Sequence, residues 1–220
     1  MSKTNSIFDY RLYYKRYLPH IQPRDAILFI TYCERFENLK NLFQKLEQKK
    51  ISFFKSIENP KTRKSKIRIK NFNKKQFHYV DNYLASTKYS HQWLSIPEIA
   101  NIIMESLIYN DGKMYNLLCY CIMPNHVHLL IKPLLNQNNI PYSITNIMKT
   151  HKSFTAKESN KLINRKGRFW HYGFYDHYIR NERELYNVIR YILDNPVRAG
   201  LVKNYEDWEF SWVLEEIISI

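Results

Sequence analysis

The chain has 220 residues, enough for one ordinary domain or one domain with an insertion. Its 45% hydrophobic content argues against global disorder, and a formal net charge of +14 argues for a polyanionic partner. The 18 Tyr and 12 Phe favour nucleic acid over an anionic membrane, because aromatic rings stack on unpaired bases. The N-terminus lacks the apolar stretch of a signal peptide and no apolar run is long enough to span a bilayer, so the expected location is the cytoplasm, with no membrane partner. Three cysteines, Cys33, Cys119 and Cys121, are few and odd in number, which argues against a disulfide framework.

Residues 1–25 read as an N-terminal arm. From Phe8 onward it is aromatic and basic, and Pro19 and Pro23 stop any helix. The arm is extended, lying either on the domain or on a ligand. Residues 26–33 are β-branched and aromatic and predict a buried strand. Residues 36–55 carry Phe36, Leu39, Leu42, Phe43 and Leu46 at helical spacing. A dense basic run follows, from Lys61 to Lys75. Set among Asn, Ser and Pro, it predicts a loop or mobile insertion over about 56–80, either solvated or gripping phosphates.

Ser95 is expected to cap a helix, with Pro97 in its first turn and Glu98 completing a capping box. Tyr115 to Ile122 reads as a strand. Met123-Pro124-Asn125 then turns it into a second strand, and so short a link makes the two antiparallel. On that second strand His126 and His128 share one face, with Cα atoms roughly 6–7 Å apart, while Val127, Leu129 and Ile131 enter the core. Two such histidines can converge on one metal ion. Joined to Cys119-x-Cys121 they also spell a zinc site, but the cysteine spacing lacks the usual knuckle.

Residues 142–163 predict a basic helix. Ser143 is its cap, Ile144, Ile147, Met148, Phe154 and Leu162 lie inside, and Lys149, His151, Lys152, Lys157 and Lys161 lie outside. Phe174 to Ile179 is a short edge strand. The order strand–helix–strand–strand–helix–strand is the ferredoxin-like pattern. The expected fold class is therefore α+β: a ferredoxin-like antiparallel sheet with helices on one face, plus the basic insertion and the N-terminal arm. The last helix spans 181–196, with Asn181 as cap and Glu184 three residues on. Leu185, Val188, Ile189, Ile192 and Leu193 form its apolar face. Tyr191 and Asn195, spaced i, i+4, lie on one stripe at the border of that face, where Tyr191 is either an amphipathic filler or a presented nucleophile.

These pieces suit phosphoryl-transfer chemistry on DNA. Two histidines and an amide oxygen can hold a divalent cation with open positions, which polarises a phosphate. A tyrosine hydroxyl one helical turn away can attack the phosphorus, though a phenol with pKa near 10 needs help from a metal or a base.

The blocks Met123-Pro124-Asn125-His126-Val127-His128-Leu129-Leu130 and Asn195-Pro196-Val197-Arg198-Ala199-Gly200-Leu201-Val202 carry a specific resemblance. Arg16-Tyr17-Leu18-Pro19-His20, Phe29-Ile30-Thr31, Lys152-Ser153-Phe154-Thr155, Phe169-Trp170, Phe174-Tyr175-Asp176-His177 and Tyr191-Ile192 support it. Over nearly the whole chain the sequence resembles the REP-associated tyrosine transposases, of the one-tyrosine HUH single-strand superfamily. The resemblance implies a ferredoxin-like fold with Tyr191 as nucleophile. It also implies that His126, His128 and Asn195 hold Mg²⁺ or Mn²⁺, and that the substrate is single-stranded DNA near palindromic hairpin repeats. A monomer is implied, with a homodimer as the alternative. The cations assigned to nucleic acid are Arg16, Lys64, Lys66, Arg68, Lys70, Lys149, Lys152 and Arg198. Two competing functions stay open: a strand-binding protein that has lost catalysis, and a water-using phosphodiesterase in which Tyr191 is structural.

Overall fold

The structure, a computed structural model, describes residues 22–36, 39–86 and 90–218. Arg16 and most of the N-terminal arm lie outside them. The chain forms two compact units, one of residues 1–34 with 92–220 and one of residues 35–91.

In the first unit, strands β1 (Leu28–Cys33), β2 (Tyr115–Ile122), β3 (His126–Pro133), β4 (Tyr175–Tyr178) and β5 (Ser211–Val213) form one antiparallel sheet in the order β4-β1-β3-β2-β5. The first four strands have the ferredoxin-like order, and β5 extends it beyond β2. Pro124 and Asn125 form the tip of the β2–β3 hairpin, closed by the Met123 N–H donating to the His126 carbonyl at 2.8 Å. The β2–β3 register shifts between Leu117 and Cys119. Leu118 is thus the extra residue of a bulge, and it resets which residues of β2 face which side.

One face of the sheet presents Leu28, Ile30, Tyr32, Val127, Leu129 and Ile131 to helices α3 (Pro97–Asn110) and α4 (Ile144–Leu162), and these pack into the main core. The opposite face presents Phe29, Thr31, Cys33, His126, His128, Cys119 and Cys121, because residues paired across neighbouring strands share a side. Helix α5 (Glu182–Leu193) lies against that second face, so helices cover both sides.

Two details of the helices correct the expectations. Ser95 does not cap α3. It ends a 3₁₀ turn, Trp93–Ser95, and the N-cap is Ile96, whose carbonyl accepts from Ile99 and Ala100 N–H. On α4 the buried stripe is Ile144, Ile147, Met148, His151, Thr155 and Ser159, while Phe154 and Leu162 are exposed. Helical phase overrides side-chain type here. His151 falls on the inward stripe, and its imidazole meets the Tyr32 hydroxyl at 2.6 Å and the Ser106 hydroxyl at 2.9 Å. Burial, with the adjacent Lys152 charge, lowers its pKa to about 3.

The caps of α4 and α5 are as expected. Ser143 accepts from Asn146 N–H, and Asn181 accepts from Glu184 N–H. The described end of the N-terminal arm is also anchored: Gln22 donates to the Tyr142 carbonyl and accepts from Ile144 N–H, which satisfies the start of α4.

In the second unit, α1 (Leu39–Lys55) and α2 (Arg63–Ala85) are both regular helices. The basic run is therefore helical rather than a loop. Thr62 caps α2 by accepting from Ser65 N–H. Phe72 then stacks on Phe53 of α1, with ring centroids 4.0 Å apart. An inward aromatic stripe suffices to hold the helix, and the lysines and arginines occupy the rest of its circumference.

Candidate metal and nucleophile site

The site lies on the second face of the sheet. His126 opens β3 directly after the hairpin tip, and His128 follows two residues later on the same side. Both are buried, at 1% and 0% exposure. Each imidazole is fixed at its far nitrogen. His126 Nδ1 lies 2.6 Å from the Asn125 side-chain oxygen, and His128 Nδ1 lies 2.9 Å from Thr31 Oγ1. The Asn125 oxygen can only accept there, so the proton sits on His126 Nδ1 and Nε2 carries the lone pair. The two Nε2 atoms converge at 3.2 Å.

That separation suits a shared cation. Two imidazole nitrogens, each about 2.1 Å from one ion, lie about 3.0 Å apart at an octahedral angle and about 3.4 Å apart at a tetrahedral one. The donor set and its outer hydrogen bonds thus fit a divalent metal, and the pair is a candidate metal centre.

The cysteines do not join it. Cys33 and Cys121 face the sheet side of the histidines, opposite His126 and His128 in register. Cys121 Sγ instead donates to Met123 Sδ at 3.7 Å. Burial pushes the Cys33 thiol up to about 12 and raises Cys119 and Cys121 as well. Among the described residues no cysteine joins His126 and His128 in a group of ligand atoms close enough to share one ion.

Tyr191, on the last turn of α5, is brought onto the histidines. Its ring meets His128 edge-on at 5.6 Å between centroids and Phe29 at 6.1 Å. Phe29 in turn stacks on His128 at 5.8 Å. The Arg198 guanidinium, from the short helix α6 (Asn195–Arg198), lies over the Tyr191 ring at 5.2 Å. Asn195, the first residue of α6, is 4% exposed, and its Nδ2 donates to the Tyr191 carbonyl at 2.6 Å. This orients the side-chain amide and leaves its oxygen as the group able to act as a donor to a metal.

Glu184 ties the start of α5 to β4. Its carboxylate accepts from His177 Nε2 at 3.0 Å and from the Arg180 backbone N–H at 2.9 Å. Burial alone would raise the Glu184 pKa, but these hydrogen bonds and the neighbouring His177 and Arg180 lower it.

Of the cations assigned to nucleic acid, Lys64, Lys66 and Arg68 are exposed on α2, which also carries Lys70, and Lys149 is exposed on α4. Lys152 differs. Its Nζ turns inward and donates to the carbonyls of His171 at 2.6 Å and Gly173 at 3.1 Å. Burial lowers its pKa to about 8, with the neighbouring Cys33 opposing. An ammonium already spent on two carbonyls is a structural tie rather than a phosphate contact. Sequence reasoning gave Thr31 no role, placed Asn125 only in the turn and Glu184 only at the start of the last helix. Asn125 had a signal in its adjacency to His126, whereas Thr31 reaches His128 only through strand pairing.

The chain belongs to the family described as "Transposase IS200 like": the family model matches residues 76–195, more than half the chain, and takes in His126, His128, Tyr191 and Asn195. It is 32% identical over 96 residues to a Haemophilus influenzae protein named as a REP-associated tyrosine transposase. That alignment spans 41% of this chain and about half, 54%, of the relative. The fold is similar to the solved structure of a REP-associated tyrosine transposase bound to a REP hairpin. The TM-score is 0.50 at 16% identity, covering 90% of this chain and 80% of the other.

Proposed function

We propose that the protein is a metal-dependent single-stranded DNA endonuclease and strand transferase. It acts through a covalent phosphotyrosine on Tyr191, at hairpin-forming repeats. One observation carries the reading: the Tyr191 ring packs on His128, whose Nε2 converges with that of His126 at 3.2 Å. Family membership supports it, as does the REP hairpin bound by the transposase of similar fold.

His126 and His128, with Asn195 as third donor, would hold Mg²⁺ or Mn²⁺, which supplies Lewis-acid polarisation of the scissile phosphate. The protein groups do the rest. The Tyr191 oxygen forms a bond to phosphorus and loses its proton to solvent. The bond from phosphorus to the leaving ribose oxygen breaks, and that oxygen takes up a proton. Attack by a strand hydroxyl on the phosphotyrosine reverses these steps, joins a new strand and restores the phenol. Phe29 and His128 fix the ring, and Arg198 brings a positive charge to the phenol, where it favours an anionic phosphate neighbour. Asn125 and Thr31 hold the imidazoles in one orientation, so little reorganisation is needed when substrate arrives.

The test is a denaturing gel after incubation with a hairpin-bearing single strand and Mn²⁺. Wild-type protein is expected to form an adduct, and Tyr191→Phe to bind the strand equally without one. An adduct surviving in Tyr191→Phe would move the nucleophile elsewhere. Strand binding with no adduct in the wild type would instead favour the non-catalytic alternative.

A further inference from the structure

The charge is unevenly divided. Residues 35–91 hold 15 of the 34 Lys and Arg but only four of the 20 Asp and Glu, a net +11 of the total +14. The unit that carries Tyr191 is left with a net charge of only +3. If that unit grips a strand, diffuse phosphate attraction is not its main resource, and specific contacts must supply the hold.

The outer side of α5 offers such contacts. Arg183, Tyr186 and Arg190 follow at i, i+3 and i+7 on one stripe, and all three are exposed. Tyr186 is 53% exposed, and the Arg190 guanidinium lies over its ring at 5.9 Å from the centroid. Among the described residues neither Arg183 nor Arg190 forms an ion pair. Along the helix axis the two arginines are about 10 Å apart, which is about three stacked nucleotides. Tyr191 follows Arg190 directly on the same helix.

We propose that this stripe is a platform for the unpaired nucleotides beside the scissile phosphate. One base stacks on the Tyr186 ring, and the guanidiniums of Arg183 and Arg190 take two phosphates of the same strand about three steps apart. A solvated tyrosine needs no explanation by itself. A tyrosine bracketed by two unneutralised arginines, on the helix that carries the nucleophile, is a binding surface for single-stranded nucleic acid. The proposal rests on the strand-cleavage reading given above and names how that strand is held.

The experiment uses the full chain and hairpin oligonucleotides carrying 2-aminopurine at single unpaired positions, with a chelator present to prevent cleavage. Stacking quenches this base. Wild type is expected to quench one position strongly. Tyr186→Phe should keep the quench, whereas Tyr186→Leu should lose it and weaken binding about tenfold or more, as one base–aromatic stack predicts. The slope of log affinity against log salt should not move, because no phosphate contact is removed. Arg183→Gln with Arg190→Gln should make that slope shallower by about 1.4, at about 0.7 per contact, and keep part of the quench. Circular dichroism checks that each variant is folded. Quenching and affinity unchanged in Tyr186→Leu would overturn the platform, and so would equal losses in Tyr186→Phe. In those cases the Tyr191 adduct would still form. Failure of the cleavage reading would instead show as full quenching without any adduct.

Discussion

Because the basic run is a helix, the test of its role is sharper than a loop would allow. Replacing Lys64, Lys66, Arg68 and Lys70 by Gln removes four charges and keeps good helix formers, where Ser would also cost helix propensity. Lys64, Lys66 and Arg68 are exposed, and the local ties of Arg68 are slight: a 3.4 Å hydrogen bond to Ser56 and a guanidinium 5.8 Å from the Phe53 ring centroid. The fold should survive. If about three of the four cations each neutralise one phosphate of a single strand, the slope of log affinity against log salt becomes shallower by about 2. Between about 50 and about 200 mM salt the wild type should then lose roughly twentyfold more affinity than the variant. Fluorescence anisotropy with labelled hairpin and scrambled strands measures this directly. Both strands should weaken alike, because phosphates position and bases specify. Adduct formation at saturating substrate should persist. An unchanged slope would refute phosphate binding by α2. A loss confined to the hairpin would show that the helix reads shape or sequence.

The site and the core give further outcomes. His126→Ala or His128→Ala should abolish Mn²⁺ binding by calorimetry while strand affinity in chelator changes little. His128→Ala should also cost about 1–3 kcal/mol of stability, by stripping the Thr31 hydroxyl of its buried partner. Cys119→Ala with Cys121→Ala should leave the metal stoichiometry intact, and loss of a bound metal there would restore the zinc reading. His151, whose pKa falls to about 3 in the fold, stays neutral while the unfolded chain protonates near pH 6.5. Its contribution is fully present above pH 6.5 and is lost as pH falls towards 3. Urea unfolding at pH 5 should thus show about 2 kcal/mol less stability from this group than at pH 7. His151→Asn should flatten that part of the profile, and a variant as steep as wild type would assign the loss to other groups.

What was legible in the sequence is what short-range geometry dictates. Strand alternation put His126 and His128 on one face and Val127, Leu129 and Ile131 on the other, as observed. Helical spacing put Asn195 one turn after Tyr191, and its amide does bond the Tyr191 carbonyl. Ser143 and Asn181 announced two helix starts because a cap bonds within three residues. Where side-chain type competed with phase, phase won: His151 went in, and Phe154 and Leu162 went out. The charge density of residues 61–75 masked a helix whose inward stripe needs only a few aromatic residues, and Phe72 finds its partner in another helix. Only the tertiary structure decided that Thr31 braces His128, that α5 lies on the histidine face, and that Lys152 ends on the carbonyls of His171 and Gly173. Thr31 and His128 are 97 residues apart, and their meeting depends on the β1–β3 register. The bulge at Leu118 likewise decides which cysteines share the histidine face, at a point where β2 reads as a plain apolar run. Such contacts arise from long-range packing and strand pairing, which leave no trace in the spacing of residues along the chain.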